Sequence, residues 1–236
     1  MKEDIVSVTD HIKEFSIEKE ILGNYFQEEF SFKTTIALVW HKEINKKFIE
    51  KYPNLRALVR YGVGYDNIDI DLCREKKIIV INTPDYGVDE VSDTALGMIL
   101  NLTRNINGFQ VLAKSDPNYW VGKKITLEAK RINTLSLGVI GLGRIGGSLL
   151  RKYQSLSKNT FFYDPYQPSG IEKIFQTNRC GNLSELLENS DIVSINTPLN
   201  NETKGMVNEI FIEKMKKKSY LINVSRGSIV KDQEII

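Results

Sequence analysis

Cysteine and histidine are scarce in this 236-residue chain, with two of each: Cys73 and Cys180, His11 and His41. Two thiols that far apart, without the short spacing of metal ligands, exclude a disulfide scaffold and a cysteine-built metal site. They read as buried thiols in a reducing compartment. No apolar run approaches the roughly 18 residues that span a bilayer, and the N-terminal MKEDIVSVTD has no signal-type apolar stretch. The expectation is a cytoplasmic protein with no membrane partner. An excess of one charge is absent too: 32 basic and 30 acidic side chains leave a formal charge of +2, so nothing asks for nucleic acid. The densest basic run, Lys214 with Lys216, Lys217 and Lys218, follows the helical pattern Ile210, Phe211, Met215, where cations complement a helix C-terminus.

What is present is ordinary globular composition, 41% hydrophobic and 26% charged. Short β-branched runs alternate with helical stretches: strand Ile5–Val8, helix Glu14–Glu28, strand Ile36–Trp40, helix Glu43–Tyr52, strand Leu55–Arg60, a helix near Asp69–Lys76, strand Ile78–Ile81. A long periodic segment follows, with Val91, Ala95, Leu96, Ile99, Leu102 and Ile106 on one face of an amphipathic helix. After a composition break at 107–134 the alternation resumes with strands at Leu135–Ile140, Thr160–Tyr163, Asp191–Asn196 and Tyr220–Val224, and helices at Ile145–Leu156, Leu183–Glu188 and Asn208–Met215. This rhythm means an α/β protein with two parallel-sheet domains, 1–101 and 102–236.

Gly141, Gly143 and Gly146 have the G-x-G-x-x-G spacing between an apolar strand and a helix. The first glycine permits a tight turn, the second lets backbone approach a pyrophosphate, and the third lets helix pack on strand. Arg144 and Ile145 open the helix, whose bare N–H groups and dipole favour an anion. The next strand delivers Asp164, 18 residues past Gly146, where a carboxylate accepts both ribose hydroxyl hydrogens and repels a 2′-phosphate. Pro165-Tyr166-Gln167 supply no cation, so the reading is a Rossmann unit for NAD rather than NADP. The competing reading is a surface Asp starting a turn before Pro165.

Ligands in parallel sheets bind beyond the C-terminal strand ends. Tyr61-Gly62-Val63-Gly64 follows one strand, and its glycines free backbone N–H groups for an anion, or form a plain turn. Thr197, Pro198 and, further on, Thr203 follow another; their hydroxyls reach a nucleotide or serve the turn. Val224 and Ser225 end the last strand and join the cofactor-binding set. Arg226 then places a guanidinium at the ligand edge, where its fork grips a carboxylate and polarises a carbonyl, or is an ordinary surface arginine.

Six blocks carry a resemblance: VRYGVGYDNID at 59–69, VINTPDYGVDEVSDTALGMILNLTRNI at 80–106, LGVIGLGRIG at 137–146, YDPY at 163–166, SDIVSINTPLNNETKGMVN at 190–208 and INVSRGSIV at 222–230. Together they resemble the D-isomer-specific 2-hydroxyacid dehydrogenases. The resemblance implies a flavodoxin-like substrate domain, a Rossmann NAD domain and a homodimer with an arm at about 102–134 that includes Trp120. It implies that the Gly62-Val63-Gly64 backbone binds the carboxylate of a 2-hydroxy or 2-keto acid and that Arg226 orients the keto group. Asn196 departs from the His that many relatives carry. The family's acid–base His and its Glu partner lie downstream of Ile236, so the expectation is a truncated chain without its last strand, with Tyr220–Val224 as an exposed edge. A keto acid needs a proton donor near neutral pH, so no turnover is expected from this chain alone. The alternative is a non-catalytic NAD-binding sensor or corepressor-like module.

Overall fold

The computed structural model describes residues 4–10, 13–115, 118 and 127–231. The chain divides into two compact units, Met1–Tyr86 and Gly87–Ile236.

The first unit runs β1 (Val6–Val8), α1 (Ser16–Leu22), β2 (Ile36–Val39), α2 (Lys46–Lys51), β3 (Ala57–Arg60), α3 (Ile70–Glu75) and β4 (Ile79–Ile81). Its strands are parallel in the order β1-β2-β3-β4, with Val6 opposite Ile36, Ile36 opposite Ala57 and Ala57 opposite Ile79. On the far side of β1, Phe26 makes a lone parallel bridge to Val6. Winding therefore leaves β1 in both directions, the order of a flavodoxin-like sheet. Right-handed crossovers then put α1 on one face and α2 and α3 on the other. Two cores result: Val6, Val8 and Leu38 with Phe26, and Ala37, Val39 and Leu58 with Phe48, Ile49 and Cys73. The expected helix Glu14–Glu28 ends early because Gly23 takes φ 53, after which Phe26 is extended. That residual strand is too short for any periodicity to announce it.

The second unit begins with α4 (Val88–Arg104) and α5 (Ile106–Ser115). There follow β5 (Leu137–Ile140), α6 (Arg144–Tyr153), β6 (Thr160–Tyr163), α7 (Ile171–Phe175), β7 (Asn178–Arg179), α8 (Leu183–Asn189), β8 (Ile192–Ile195), α9 (Glu209–Lys214) and β9 (Tyr220–Asn223). The parallel order β7-β6-β5-β8-β9 is that of a Rossmann sheet, with the reversal at β5. Leu137 and Val139 face a core shared with Ala95, Ile99, Leu149, Leu150 and Tyr153; Ile140 faces Leu186, Val193 and Phe211 on the other side. Burying each such side chain is worth about 1.5–3 kcal/mol. α7 and β7 were not anticipated, being too short to show a period.

Two expectations about α4 change. Its buried face is Ser92, Ala95, Ile99 and Thr103, whereas Leu102 and Ile106 are 44% and 50% exposed. The cause is twofold: Asn105, left-handed at φ 53, breaks the long helix, and small residues let α4 close on α6. Ser92 Oγ meets Ser148 Oγ at 3.0 Å, and Lys152 Nζ bonds Asp93 and Asp89 at 2.6 and 3.1 Å. Since Ala95 and Ile99 are fully buried in the second core, packing separates the units at Tyr86–Gly87 rather than near 101. Trp120, read as part of the dimer arm, lies outside the described residues.

At the opposite end of the sheet from the strand tips, Asp191 accepts from the Ser136 amide and hydroxyl, at 2.9 and 2.8 Å, and from Lys216 Nζ at 3.1 Å. Burial opposes its charge, but these donors hold its carboxyl below the ordinary carboxylate range. Its contribution is therefore complete above the unfolded value of about 3.9 and is lost as pH falls through the folded value. Asp191→Ala is expected to lower the unfolding free energy by about 1–3 kcal/mol at neutral pH in urea titrations. The gap between parent and variant should narrow at about pH 3, below that unfolded value; an undiminished gap would contradict the assignment.

Candidate functional site

β5 is buried along its whole length and delivers Gly141 at φ 86. A Cβ there would stand 2.9 Å from Thr197 Cγ2, and one on Gly146 would stand 2.1 Å from the Gly141 carbonyl oxygen. The fold itself thus demands the first and third glycines. At Gly143 a Cβ would meet nothing within 4 Å. What the second glycine keeps clear is space outside the protein's own packing, at the mouth of α6. Side chains of Asn45, Asp69, Asn182 and Asn208 cap α2, α3, α8 and α9, but none caps α6. A helix start with an open approach and no side-chain acceptor suits a diphosphate. Arg144 is exposed and Ile145 half-buried at that start.

Asp164 lies against this turn. Its Oδ2 accepts from the Leu142 amide at 2.9 Å and its Oδ1 from the Tyr166 amide at 2.9 Å. Gln167 Nε2 donates to the Leu142 carbonyl at 2.8 Å, so both polar backbone atoms of Leu142 are held from the loop after β6. A carboxylate has about four lone-pair sites, which leaves acceptors for sugar hydroxyls. Arg179 also reaches this loop, yet its guanidinium bonds Glu172 and the carbonyls of Gln167 and Pro168. The sequence carried no signal for Arg179 or Gln167.

At the tip of β8, two buried atoms, Asn196 Oδ1 and Thr197 Oγ1, have no hydrogen-bond partner among the described residues. Orphaned polar groups at the crevice beside Gly141 fit a site that a polar ligand completes. Pro198 is exposed. Thr203 instead spends its hydroxyl on the loop, donating to the Pro198 carbonyl at 2.6 Å and accepting from the Asn200 amide at 2.9 Å. Of its two readings, the turn role is the one seen.

Beyond β9, Val224 packs on the core shared with α4 and α6, and Ser225 Oγ donates to the Ile195 carbonyl at 3.1 Å. Arg226 is half-buried, with Nη1 on the Ser225 carbonyl at 3.1 Å. Asn223 sets this loop: its Oδ1 accepts from the Ser225 amide and its Nδ2 donates to the Arg226 carbonyl. An Asn closing a strand before a Ser is an Asx-turn signal, and it was available in the sequence.

In the first unit the loop after β3 is held as a tight turn. Neither Gly62 nor Gly64 has positive φ, and the Gly62 amide is spent on the Arg60 carbonyl at 2.8 Å. The loop is braced from the tip of β4, where Thr83 N donates to the Gly62 carbonyl and Asn82 Nδ2 to the Val63 carbonyl. Val63 is exposed, and the Arg60 guanidinium lies beside Gly62. Any anion role falls to the amides of Val63 and Gly64 with that cation nearby.

The sequence profile of the D-isomer specific 2-hydroxyacid dehydrogenase, NAD binding domain, matches residues 96–236. The chain belongs to the D-isomer specific 2-hydroxyacid dehydrogenases. NAD is the cofactor of that domain. Among relatives, the chain is 27% identical over 235 residues to D-3-phosphoglycerate dehydrogenase of Methanocaldococcus jannaschii, covering 100% of this chain and 44% of that protein. It is 32% identical over 194 residues to glyoxylate reductase of Thermofilum pendens, covering 82% and 57%. The chain thus spans about half the length of these curated relatives. The solved D-lactate dehydrogenase from Aquifex aeolicus, complexed with NAD and lactic acid, superposes with a TM-score of 0.88 at 26% identity, covering 98% of this chain and 72% of that one.

The different demands on these three glycines separate in experiment. Gly146→Ala is expected to lower stability by about 3 kcal/mol or more, since the intruding methyl meets backbone. Gly143→Ala should keep the parent's urea midpoint yet weaken NADH binding at least tenfold by calorimetry. Equal losses of stability in the two variants would contradict the division.

Proposed function

We propose that the chemistry this site is built for is NAD-dependent hydride transfer between nicotinamide and a 2-hydroxy or 2-keto acid of the D-isomer type. The observation that carries the reading is the Asp164 carboxylate bonded to the Leu142 amide, beside the open approach at Gly143. NAD, when bound, donates or accepts the hydride. Gly141, Gly143, Arg144, Ile145 and Gly146 would cradle its diphosphate, and Asp164 its adenosine ribose. Thr197, Pro198, Val224 and Ser225 would line the remainder, with Thr203 shaping their loop. Arg226 would grip the substrate and polarise its carbonyl, stabilising the negative charge that forms on oxygen as hydride arrives. Val63 and Gly64, on the Gly62 turn, would hold the substrate carboxylate. The first unit is the proposed substrate domain and the second the cofactor domain.

Net reduction of a keto acid also consumes one proton. The histidines of the sequence are His11 and His41; His41 lies in the first unit with its ring edge-on to Trp40, and His11 is outside the described residues. Neither lies in a block that resembles the family, so we assign no general acid within these 236 residues and propose binding without turnover for this chain. That same observation favours a second reading, a non-catalytic NAD sensor or corepressor-like module. The cytoplasm is the proposed compartment, where the two free, buried thiols of Cys73 and Cys180 stay reduced. A homodimer is proposed through the second unit, where Met98, Leu102, Ile106 and Val111 expose apolar surface along α4 and α5.

Calorimetric titration with NADH should give saturable binding, with Asp164→Ala weakening NADH at least tenfold while weakening NADPH less. Absence of binding at millimolar NADH would refute the reading. Added glyoxylate should leave NADH unconsumed; consumption would instead show hydride transfer by this chain and exclude the sensor reading. In sedimentation experiments, Val111→Asp should shift the parent dimer toward monomer, and an unaltered dimer would locate its interface elsewhere.

A further inference from the structure

The adenosine end of the proposed cofactor site has two walls. Because β6 and β8 flank β5, the loop after β6 and the loop after β8 rise on either side of the glycine turn. The first carries Asp164 and the second carries Thr197, Pro198 and Leu199. One hydrogen bond joins them: Tyr166 Oη donates to Glu202 Oε2 at 2.5 Å, across 36 residues of sequence. The phenol's ionisation is pushed upward by that bond first, with the Asp164 charge a lesser contributor.

Packing does not account for this contact. Tyr166 is 74% exposed, so its ring serves no core. Both posts are tied by local hydrogen bonds. The Tyr166 amide is pinned on Asp164 Oδ1, behind Pro165. Glu202 stands on a self-bonded loop tip, its own amide and that of Thr203 held by Asn200 Oδ1 at 2.9 and 3.0 Å. Both side chains are exposed, so the contact can open by rotation about their own bonds.

We propose that the Tyr166–Glu202 hydrogen bond is a strap across the adenosine end of the cleft, which opens to admit the adenine and recloses over it. The inference rests on the cofactor site proposed above. A strap closed most of the time leaves a small binding-competent fraction and lowers the association rate by that fraction. A tyrosine that merely touched bound adenine would act on dissociation alone, as most contact residues do.

Stopped-flow fluorescence of NADH binding to the 236-residue chain separates the two. Tyr166→Phe, which removes only the hydroxyl, and Glu202→Gln, which removes the acceptor's charge, are the variants. Tyr166→Phe should raise the association rate constant about three- to tenfold and raise dissociation too, with Glu202→Gln intermediate. ADP-ribose, followed by competition, should show the same acceleration. Reduced nicotinamide mononucleotide, which has no adenosine, should bind parent and variants at one rate. An unchanged NADH association rate in Tyr166→Phe, with or without faster dissociation, overturns the strap while leaving the cofactor site standing. Failure of the parent chain to bind either NADH or ADP-ribose overturns both.

Discussion

The loop after β6 and the glycine turn after β5 are joined by one short tie, the Asp164 carboxylate on the Leu142 amide, and the proposed cofactor site depends on it. A carboxylate at a strand end has many places to point, and most of them are solvent. Here one oxygen is committed to the glycine turn and the other to its own loop, so the negative charge is placed before any ligand arrives. Preorganisation of this kind avoids an ordering cost on binding. Gln167 completes the arrangement by taking the Leu142 carbonyl, which makes the turn and the loop after β6 a single braced object.

The same logic recurs at β9, where Asn223 fixes the backbone on either side of Ser225 and presents Arg226. In both places an amide or carboxylate side chain fixes the local backbone. The loop after β3 follows a different plan. Its bracing comes from the tip of the neighbouring strand, through Asn82 and Thr83, and its positive character comes from Arg60 rather than from left-handed glycines.

The sequence was legible where a physical requirement repeats or is sharply local. Buried strands such as Leu137–Ile140 read as apolar runs, and Gly141 and Gly146 read correctly because backbone geometry allows nothing larger. It was illegible where a requirement is met by a single residue. The sheet edge at Phe26 is one bridge and leaves no pattern, and the β7 pair Asn178–Arg179 is equally short. The face of α4 was read only in part: Ala95 and Ile99 are buried as the apolar pattern had them, but Ser92 and Thr103 are buried too, while Leu102 and Ile106 are exposed. Apolar spacing finds large side chains, but close helix packing selects small ones. Hydrogen bonds from Gln167 and Arg179 to loop carbonyls depend on a fold that brings distant residues together, which spacing alone does not encode.

The placement of α4 bears on how such a protein can be divided and recombined. Its residues Ala95 and Ile99 belong to the interior around Leu149, Leu150 and Tyr153, and Lys152 staples the first turn of α4 to α6. A chimera joined at 101 would strip a wall from the nucleotide half and leave a greasy trough along α6. Joined at Gly87, the helix travels with the half it insulates, and the core around Leu149, Leu150 and Tyr153 keeps its wall.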